Sequence, residues 1–357
     1  MDDLINVADF EREAERRLPP GPFGYFAGGA ADELTLRANA GAFAHWHLRP
    51  RVLVDVGTVS PSATVLGRQL SMPLVIAPTA FLRLAHPDGE LAVARAAAAA
   101  GTIMCQSTLS SVTPSELAAA VPAARLWFQL YWSQDRGFTR DLLAGVAAAG
   151  FEAVVLTVDF AAAGRRERDL RMKFALPEDL ATPNIPGPLA RQNFHSALTD
   201  VVDARLTWRD LEWLHETCGL PVLLKGVLTR EDAVLAADHG AAGVVVSNHG
   251  GRQLDGVAPS LEALPEVVEA VGERVEVLLD GGVRRGADVL KALALGARAV
   301  LVGRPVVWGL AVGGEEGVTR VLSLLRDETV LALTQLGCTS PAEVTRAHVA
   351  PSGAVAS

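Results

Sequence analysis

Short apolar segments alternate with Ala- and Leu-rich segments along most of this chain. The apolar segments lie at residues 73–80, 101–107, 125–132, 153–159, 221–226, 243–248, 276–282 and 299–304. Most of them are continuously apolar, which is typical of parallel strands covered on both faces. The segments between them have helical character, and several end in Gly, a common helix stop. Eight strands that alternate with helices predict an α/β fold, specifically a (β/α)8 TIM barrel.

The remaining regions fit one predicted domain over residues 1–357. Residues 1–72 form an N-terminal extension of helices and a small β element, residues 73–305 contain the barrel strands, and residues 306–357 form closing helices. The connection at 161–206, after the fourth strand, is unusually long and rich in Pro, Asn and Asp. Long connections in compact domains are usually functional, so we predict an active-site lid here.

Composition narrows the class of protein. Half of the residues are hydrophobic, a fifth are charged, and the net charge is −9. This balance argues against a dedicated nucleic-acid binder, although a local arginine cluster can still hold an anion. Cys105, Cys218 and Cys338 are widely spaced, which indicates no disulfide framework and no metal site. The acidic start has no apolar core, and no stretch approaches the roughly 20 apolar residues of a membrane span, so we expect a cytoplasmic protein without membrane contact.

Polar residues gather at the predicted carboxyl ends of the strands, where barrels of this kind keep their active sites. They are Thr79, Ser107, Gln129, Tyr131, Thr157, Asp159, Lys225, Ser247, Asn248, His249, Asp280 and Arg304. Any one of them could cap a turn. Their recurrence at so many strand ends predicts a functional site.

The last two strand ends have the features of a phosphate site. DGGVRRG (280–286) follows the seventh strand and GRP (303–305) follows the eighth. Glycines allow backbone N–H groups to approach an anion at a helix N-terminus, and Arg284, Arg285 and Arg304 add charge. Tight βα turns that need Gly are the alternative interpretation.

The most specific local motif is SNHGGRQLD (247–255), directly after the sixth strand. His249 lies beside two glycines and three residues before Arg252, so a proton acceptor and a carboxylate-binding group can reach the same space. Asp159 at the fourth strand end could orient the imidazole and stabilise its cation. Arg165 or Arg166 could provide a second contact to a carboxylate.

Three further residues are candidates for hydrogen bonding or charge in the site. Lys225 lies in an apolar context and needs an anionic partner, which a cofactor that gains negative charge could supply. The chain has only two tyrosines, Tyr25 and Tyr131, whereas Phe and Trp fill the other aromatic positions. We therefore interpret the two phenols as hydrogen-bonding groups.

These residues carry a family resemblance. The motifs are YFAGGAADELTL, PLVIAPTA, AHPDGE, FQLY, LTVD, GRRERD, KGV, SNHGGRQLD, DGGVRRGADVLKALALGA and VGRP. Over about residues 5–350 the chain resembles the FMN-dependent L-2-hydroxy acid oxidase/dehydrogenase family, which includes glycolate oxidase, lactate oxidase and mandelate dehydrogenase. SNHGGRQLD followed by DGGVRRG is highly specific for that family.

The resemblance implies roles for the candidate residues. His249 would be the catalytic base, Asp159 its partner, and Tyr131 a hydrogen-bonding group at the substrate hydroxyl. Arg166 and Arg252 would bind the substrate carboxylate with help from Tyr25. Lys225 would face the N1/C2 side of the flavin. The other FMN contacts would be Pro78, Thr79, Ala80, Ser107, Gln129, Thr157 and Ser247 at the ring and ribityl chain, and Asp280, Gly281, Gly282, Val283, Arg284, Gly303 and Arg304 at the ribityl and phosphate.

The implied reaction is oxidation of an L-2-hydroxy acid to the 2-oxo acid, with FMN as cofactor and dioxygen reduced to hydrogen peroxide. The resemblance also implies a homotetramer. A dehydrogenase with another electron acceptor, an FMN oxidase acting on a modified peptide, and a non-redox barrel that binds a phosphorylated ligand are the alternatives. The connection at 161–206 is too polar for the membrane insertion of some dehydrogenases.

Departures from the family pattern concern the substrate. Leu109 stands where plant glycolate oxidase has Trp, and Ala161–Ala163 replace bulkier residues near the lid. Several stretches look closer to bacterial hydroxymandelate-type oxidases. The freed space predicts a bulky or aryl substrate such as mandelate, with Phe81 and Trp132 as candidates for ring contacts.

Overall fold

The N-terminal region precedes the barrel and packs against it. It contains α1 (Val7–Arg17), α2 (Pro20–Ala27), α3 (Leu34–Gly41), a 3-10 turn (Ala42–His45) and β1 (Trp46–Leu48). The side chain of Asn6 caps α1 by accepting the backbone N–H of Asp9 at 3.0 Å, which satisfies one of the free donors of the first turn. The helices and small β element predicted for 1–72 are present in the structure.

A hairpin closes the amino end of the barrel. Strands β2 (Ala63–Val65) and β3 (Arg68–Leu70) are antiparallel, and Leu66 and Gly67 between them both have positive φ, as a tight hairpin turn requires. Val65 and Leu70 are buried among the inward-facing residues of the barrel.

Eight parallel strands form the centre of this computed structural model, which describes residues 1, 3–192 and 194–353. They are β4 (Leu74–Ile76), β5 (Ile103–Ser107), β6 (Arg125–Leu130), β7 (Ala153–Thr157), β8 (Val222–Val227), β9 (Gly243–Val246), β10 (Glu276–Asp280) and β11 (Ala299–Val302). The barrel closes where β11 pairs with β4. Seven strands fall within the predicted apolar segments and β8 extends one residue beyond its segment, so the predicted (β/α)8 barrel is confirmed.

Apart from the two helices in the connection after β7, the helices that follow β4 cover the outside of the barrel. The helices after β4 are α4 (Gly89–Ala99), α5 (Pro114–Ala120), α6 (Arg136–Ala148), α7 (Glu167–Met172), α8 (Phe194–Val201), α9 (Asp210–Cys218), α10 (Arg230–Asp238), α11 (Ser260–Val271), α12 (Gly286–Ala294) and α13 (Arg304–Leu336). Alternate strand residues serve two cores, since Val155 faces the barrel interior and Val154 faces the helices. In the described part of the chain, no helix combines the length and apolar character of a membrane span.

The last described strand lies beside the N-terminal region. The last helix, α13, has non-helical backbone at Gly313 and Gly314. Short 3-10 turns (Pro341–Glu343 and Arg346–His348) lead to β12 (Val349–Pro351), which pairs antiparallel with β1. The long connection after β7 is partly helical, because it contains α7 and α8, and α8 lies over the carboxyl face of the barrel.

Candidate active site

One cavity opens at the carboxyl ends of the barrel strands. Its walls come from all parts of the fold: the N-terminal helix α2, the strand ends, the loops after β10 and β11, and α8. The segment after β7 therefore covers the site, as predicted for a lid. Of the residues to which the family resemblance assigns a role, all but two line this cavity. The exceptions are Asp159 and Ser247, which lie directly behind it.

His249 occupies a fixed position at the carboxyl end of β9. Its backbone has a φ of 59°, and the next two residues, Gly250 and Gly251, have φ values of 64° and 74°. A side chain at Gly251 would lie 2.5 Å from the backbone nitrogen of Leu36, so this turn excludes other residues there. The His249 N–H also donates to Ser247 Oγ at 3.0 Å. The turn thereby holds the imidazole at the cavity wall.

The imidazole of His249 lies between a carboxylate and a phenol. Nδ1 is 3.0 Å from Asp159 Oδ1, and Nε2 is 3.3 Å from the Tyr131 hydroxyl. Burial lowers the pKa of His249, and the positive charges of Lys225 and Arg166 add to this against the opposing effect of Asp159. The ring is therefore neutral near pH 7, with Nε2 as the proton acceptor on the cavity side.

Asp159 is the ionised partner of that ring. Burial raises the pKa of Asp159, but the charge and hydrogen bond of His249 and the charge of Lys225 lower it by more, so the carboxyl stays deprotonated. Burial raises the pKa of the Tyr131 phenol, which keeps it a hydrogen-bond donor. The three groups can hold and stabilise a proton taken from a bound molecule.

Arg166 is a buried cation at the substrate end of the cavity. Its side chain is 7% exposed, its Nε has no hydrogen-bond partner, and no carboxylate forms an ion pair with it within the described residues. Burial and the neighbouring Arg252 charge lower its pKa to about 10, so it remains charged. A buried guanidinium of this kind requires an anion. Arg165, the alternative candidate, is exposed and lies near Glu167.

Arg252 and Tyr25 complete this end of the cavity. Arg252 Nη1 donates to the backbone oxygens of Tyr25 and Gly28 at 2.6 and 3.0 Å, and its guanidinium stacks 4.9 Å from the Tyr25 ring centre. The Arg166 guanidinium lies 5.8 Å from the same ring. Two fixed guanidinium groups face one space, which is the arrangement that binds a carboxylate.

A row of polar groups crosses the strand ends beneath the cavity. Ser107 Oγ donates to Gln129 Oε1 at 3.1 Å, and Gln129 Nε2 donates to Thr157 Oγ1 at 2.9 Å. Lys225 Nζ donates to Ser247 Oγ at 3.1 Å and pairs with Asp280 Oδ2 at 3.3 Å. These groups present donors and acceptors to a flat polar molecule lying over the barrel.

The buried lysine has a partner inside the protein. Burial lowers the pKa of Lys225, but the charges of Asp280 and Asp159 raise it by more, so the ammonium is retained. Asp280 is therefore one anionic partner of this lysine within the protein. Asp280 Oδ1 is buried without a hydrogen-bond partner, so one carboxylate oxygen remains for a hydroxyl donor of a ligand.

The predicted phosphate end is lined by backbone. Gly281 and Gly282 have φ values of 96° and 87°, and a Cβ at Gly282 would lie 2.1 Å from the Asn39 carbonyl oxygen. Arg304 donates to the backbone oxygens of Phe26, Gly250 and Gly28 at 2.9, 3.0 and 2.9 Å, which leaves two of its five N–H donors. Arg285 does not contribute, because it pairs with Glu328 at 3.0 Å.

Sequence reasoning missed the apolar wall of the substrate end. Phe160, Phe194, His195 and Leu198 line the cavity beside Phe81 and Leu109. Phe160 has a detectable signal, because it follows Asp159 at a strand end. The other three lie on α8, whose register within the long connection no motif reveals.

Two expectations about the substrate wall are wrong. Trp132 is buried on the other side of its strand end, since neighbouring residues of an extended chain point to opposite faces and Tyr131 points inward. Ala161–Ala163 do not line this cavity: Ala161 and Ala162 are exposed. Leu109 and Phe81 do line it.

The fold and the site together define a barrel enzyme with adjacent places for a phosphate-bearing polar cofactor and a carboxylate substrate. The model of the FMN-dependent dehydrogenase family matches residues 14–351, and the chain belongs to that family. Its cofactor is FMN. The unpaired oxygen of Asp280, the glycine-lined loops and the two free donors of Arg304 fit the ribityl hydroxyls and the phosphate.

Curated relatives and solved structures agree with this assignment. The chain is 48% identical over 356 residues to glycolate oxidase 1 of Zea mays, covering 98% of this chain and 96% of that protein. It is 49% identical over 345 residues to L-lactate oxidase of Nostoc sp., covering 94% of each. A mandelate oxidase structure with (S)-4-hydroxymandelic acid is 46% identical, has a TM-score of 0.91, and matches over 95% of this chain and 97% of that one.

Proposed function

We propose that this protein oxidises an L-2-hydroxy acid with a bulky apolar or aryl substituent to the 2-oxo acid, with dioxygen as electron acceptor. The observation that carries the proposal is Arg166, a buried guanidinium without an ion-pair partner among the described residues, beside the His249–Asp159 pair. A substrate carboxylate satisfies the cation, and that contact brings the adjacent carbinol to the imidazole.

Each residue has a defined task in this proposal. Arg166 and the free donors of Arg252 bind the carboxylate, and the Tyr131 hydroxyl donates to the substrate hydroxyl oxygen. Oxidation of the carbinol releases two electrons and two protons, and His249 Nε2 accepts one proton while Asp159 stabilises the imidazolium. Bound FMN would supply the oxidising power: it would accept the two electrons and the second proton, and dioxygen would then take up two electrons and two protons to give hydrogen peroxide.

The preference for a bulky substituent is supported by the apolar wall. Phe81, Leu109, Phe160, Phe194 and Leu198 surround the space beyond the two arginines. Burial of an apolar group there gains about 25 cal/mol per Å². A small substrate such as glycolate leaves this surface uncovered.

The test is anaerobic reduction of the bound flavin by glycolate, L-lactate and L-mandelate, followed by peroxide measurement in air. We expect reduction by all three, the highest kcat/KM for mandelate, and one peroxide for each 2-oxo acid formed. A flavin that no 2-hydroxy acid reduces would contradict the reaction. Reduction without peroxide in air would favour the dehydrogenase alternative, and a higher kcat/KM for glycolate would refute the substrate class.

We also propose that the chain assembles as a homotetramer. Val52, Leu53 and Val54 are exposed, Leu53 completely, and three adjacent exposed aliphatic side chains are typical of a contact surface. Sedimentation velocity of the flavin-loaded protein tests this, and a monomer at micromolar concentration would contradict it.

A further inference from the structure

A second cavity lies next to the active site, on the outer side of β7 and β8. It has a volume of about 410 Å³ and lies beneath the segment that leads to α9. Its walls are mostly apolar and include Leu206 and Trp208, and Asp203 and Asp232 also line it. Thr157 and Phe160 line both this cavity and the active site.

Phe160 separates the two cavities. Its side chain is 4% exposed, its ring centre is 4.8 Å from that of Tyr131, and it lies 6.3 Å from the His249 ring. Only apolar contacts hold this side chain, since a phenylalanine ring makes no hydrogen bonds of its own. A change of its rotamer therefore breaks no polar contact.

Trp132 forms part of the wall of the second cavity. Trp132 is 1% exposed and lines this cavity, and its Nε1 has no hydrogen-bond partner within the described residues. Buried N–H groups without an acceptor are rare in native proteins. Because this N–H is itself buried in the wall, the cavity offers a mostly apolar surface, which suits an apolar group.

We propose that Phe160 is a gate and that the second cavity receives the distal part of an extended 2-hydroxy acid, such as an alkyl chain of six carbons or more. This inference rests on the proposed function and refines its substrate class. The carboxylate remains at Arg166 and Arg252, the carbinol at His249, and the chain passes Phe160. Each methylene that enters the apolar space strengthens binding by roughly fourfold.

The experiment compares L-lactate with L-2-hydroxyoctanoate in the flavin-loaded wild type and in three variants. Phe160→Ala opens the wall, and Ala161→Phe fills the second cavity from its rim. Ala162→Phe is the matched control, because Ala162 is exposed and lines neither cavity. The readouts are anaerobic flavin reduction and the Kd of 2-oxooctanoate, measured from the flavin absorbance.

The ratio of kcat/KM for L-2-hydroxyoctanoate to kcat/KM for L-lactate tests the proposal, because effects on the chemistry common to both substrates cancel in that ratio. We expect Phe160→Ala to raise the ratio about tenfold, Ala161→Phe to lower it about tenfold with weaker binding of 2-oxooctanoate, and Ala162→Phe to leave it within twofold. An unchanged ratio in Phe160→Ala or Ala161→Phe would overturn the proposal, as would an equal fall in Ala162→Phe. If wild type reduces its flavin with neither substrate nor mandelate, the proposed function itself fails instead.

Discussion

The two ends of the catalytic cavity are built in different ways. At the phosphate end, Gly281 and Gly282 turn in left-handed conformations and expose backbone, and Arg304 is fixed by three carbonyl oxygens. At the substrate end, side chains from α2, several strand ends and α8 form the wall. The phosphate end depends on backbone conformation, and the substrate end depends on side-chain identity.

This difference predicts which positions around the cavity tolerate substitution and which do not. A substitution at Gly282 places a Cβ against the backbone of Asn39, which no rotamer change relieves. A substitution at Leu109 or Phe160 changes the volume of an apolar wall and leaves the backbone in place. Changes of substrate within this fold are therefore expected at the substrate end, with the cofactor contacts retained.

Replacement of His249 gives the largest expected effect and tests whether the ends are independent. His249→Asn removes the proton acceptor and keeps a residue that tolerates positive φ. We expect flavin reduction to slow by about 10² to 10⁴ with FMN still bound. Rapid-mixing kinetics measure the rate, His47→Asn at an exposed position is the control, and loss of flavin would show that the two ends are coupled.

Gly282→Ala tests the backbone-built end. Positive φ costs an alanine about 1–2 kcal/mol, and the contact with the Asn39 carbonyl adds a cost of similar size. We expect about 3 kcal/mol of destabilisation and weak FMN binding, measured by denaturation and by flavin fluorescence. Gly256→Ala is the control, since Gly256 has a φ of 86° with open space around it; equal losses in both variants would exclude a role for the steric contact.

Arg166→Met tests the unpaired cation at the substrate end. Loss of a charge-assisted contact of about 1.5–3 kcal/mol should lower kcat/KM by about 10 to 100-fold. Removal of a buried charge without a partner should also raise the melting temperature of the substrate-free protein. Arg165→Met removes the neighbouring exposed arginine and should change neither quantity, so similar effects of the two variants would refute a special role for Arg166.

The lowered pKa values of His249 and His195 predict how the stability of the fold depends on pH. The pKa of His249 lies below the usual value, and burial lowers that of His195 to about 4 despite its bond to Asp169. The unfolded chain, with histidine pKa values of about 6.5, binds more protons than the folded one below that pH. Stability from these groups is therefore present above about pH 6.5 and lost as the pH falls towards 4. Thermal melts across this range check it.

The lowered pKa of His249 also predicts how catalysis depends on pH. The acid limb of kcat/KM should lie below pH 6.5, because His249 must be neutral to accept a proton. Asp159→Asn removes the group that raises the His249 pKa, so the remaining activity should persist to lower pH. A limb that moves upwards in this variant would contradict the assignment.

Leu109→Trp gives the smallest expected effect. The indole fills space at the apolar wall, so kcat/KM for mandelate should fall several-fold relative to that for glycolate, with FMN binding unchanged. Steady-state kinetics of both substrates measure the ratio. An unchanged ratio would show that the substituent lies away from Leu109.

The contrast between the phosphate end, built from backbone, and the substrate end, built from side chains, also explains which parts of the structure the sequence predicts. The barrel and the residues from Asp280 to Arg284 follow from apolar segments and from glycine spacing, which reflect backbone requirements. Trp132 and Ala161–Ala163 were assigned wrongly because the direction of side chains at the end of a strand depends on where the strand stops. Phe194, His195 and Leu198 were missed because their position depends on tertiary packing of α8.

The arginines around the cavity have a consequence for the life of the protein in a cell. Arg166, Arg252, Arg284 and Arg304 crowd one space, and their mutual repulsion opposes the compact state until anions enter. A ligand present at a hundred times its Kd adds about 2.7 kcal/mol to folding stability. Bound FMN is therefore expected to slow proteolysis of the folded chain, and limited digestion with and without added FMN measures this.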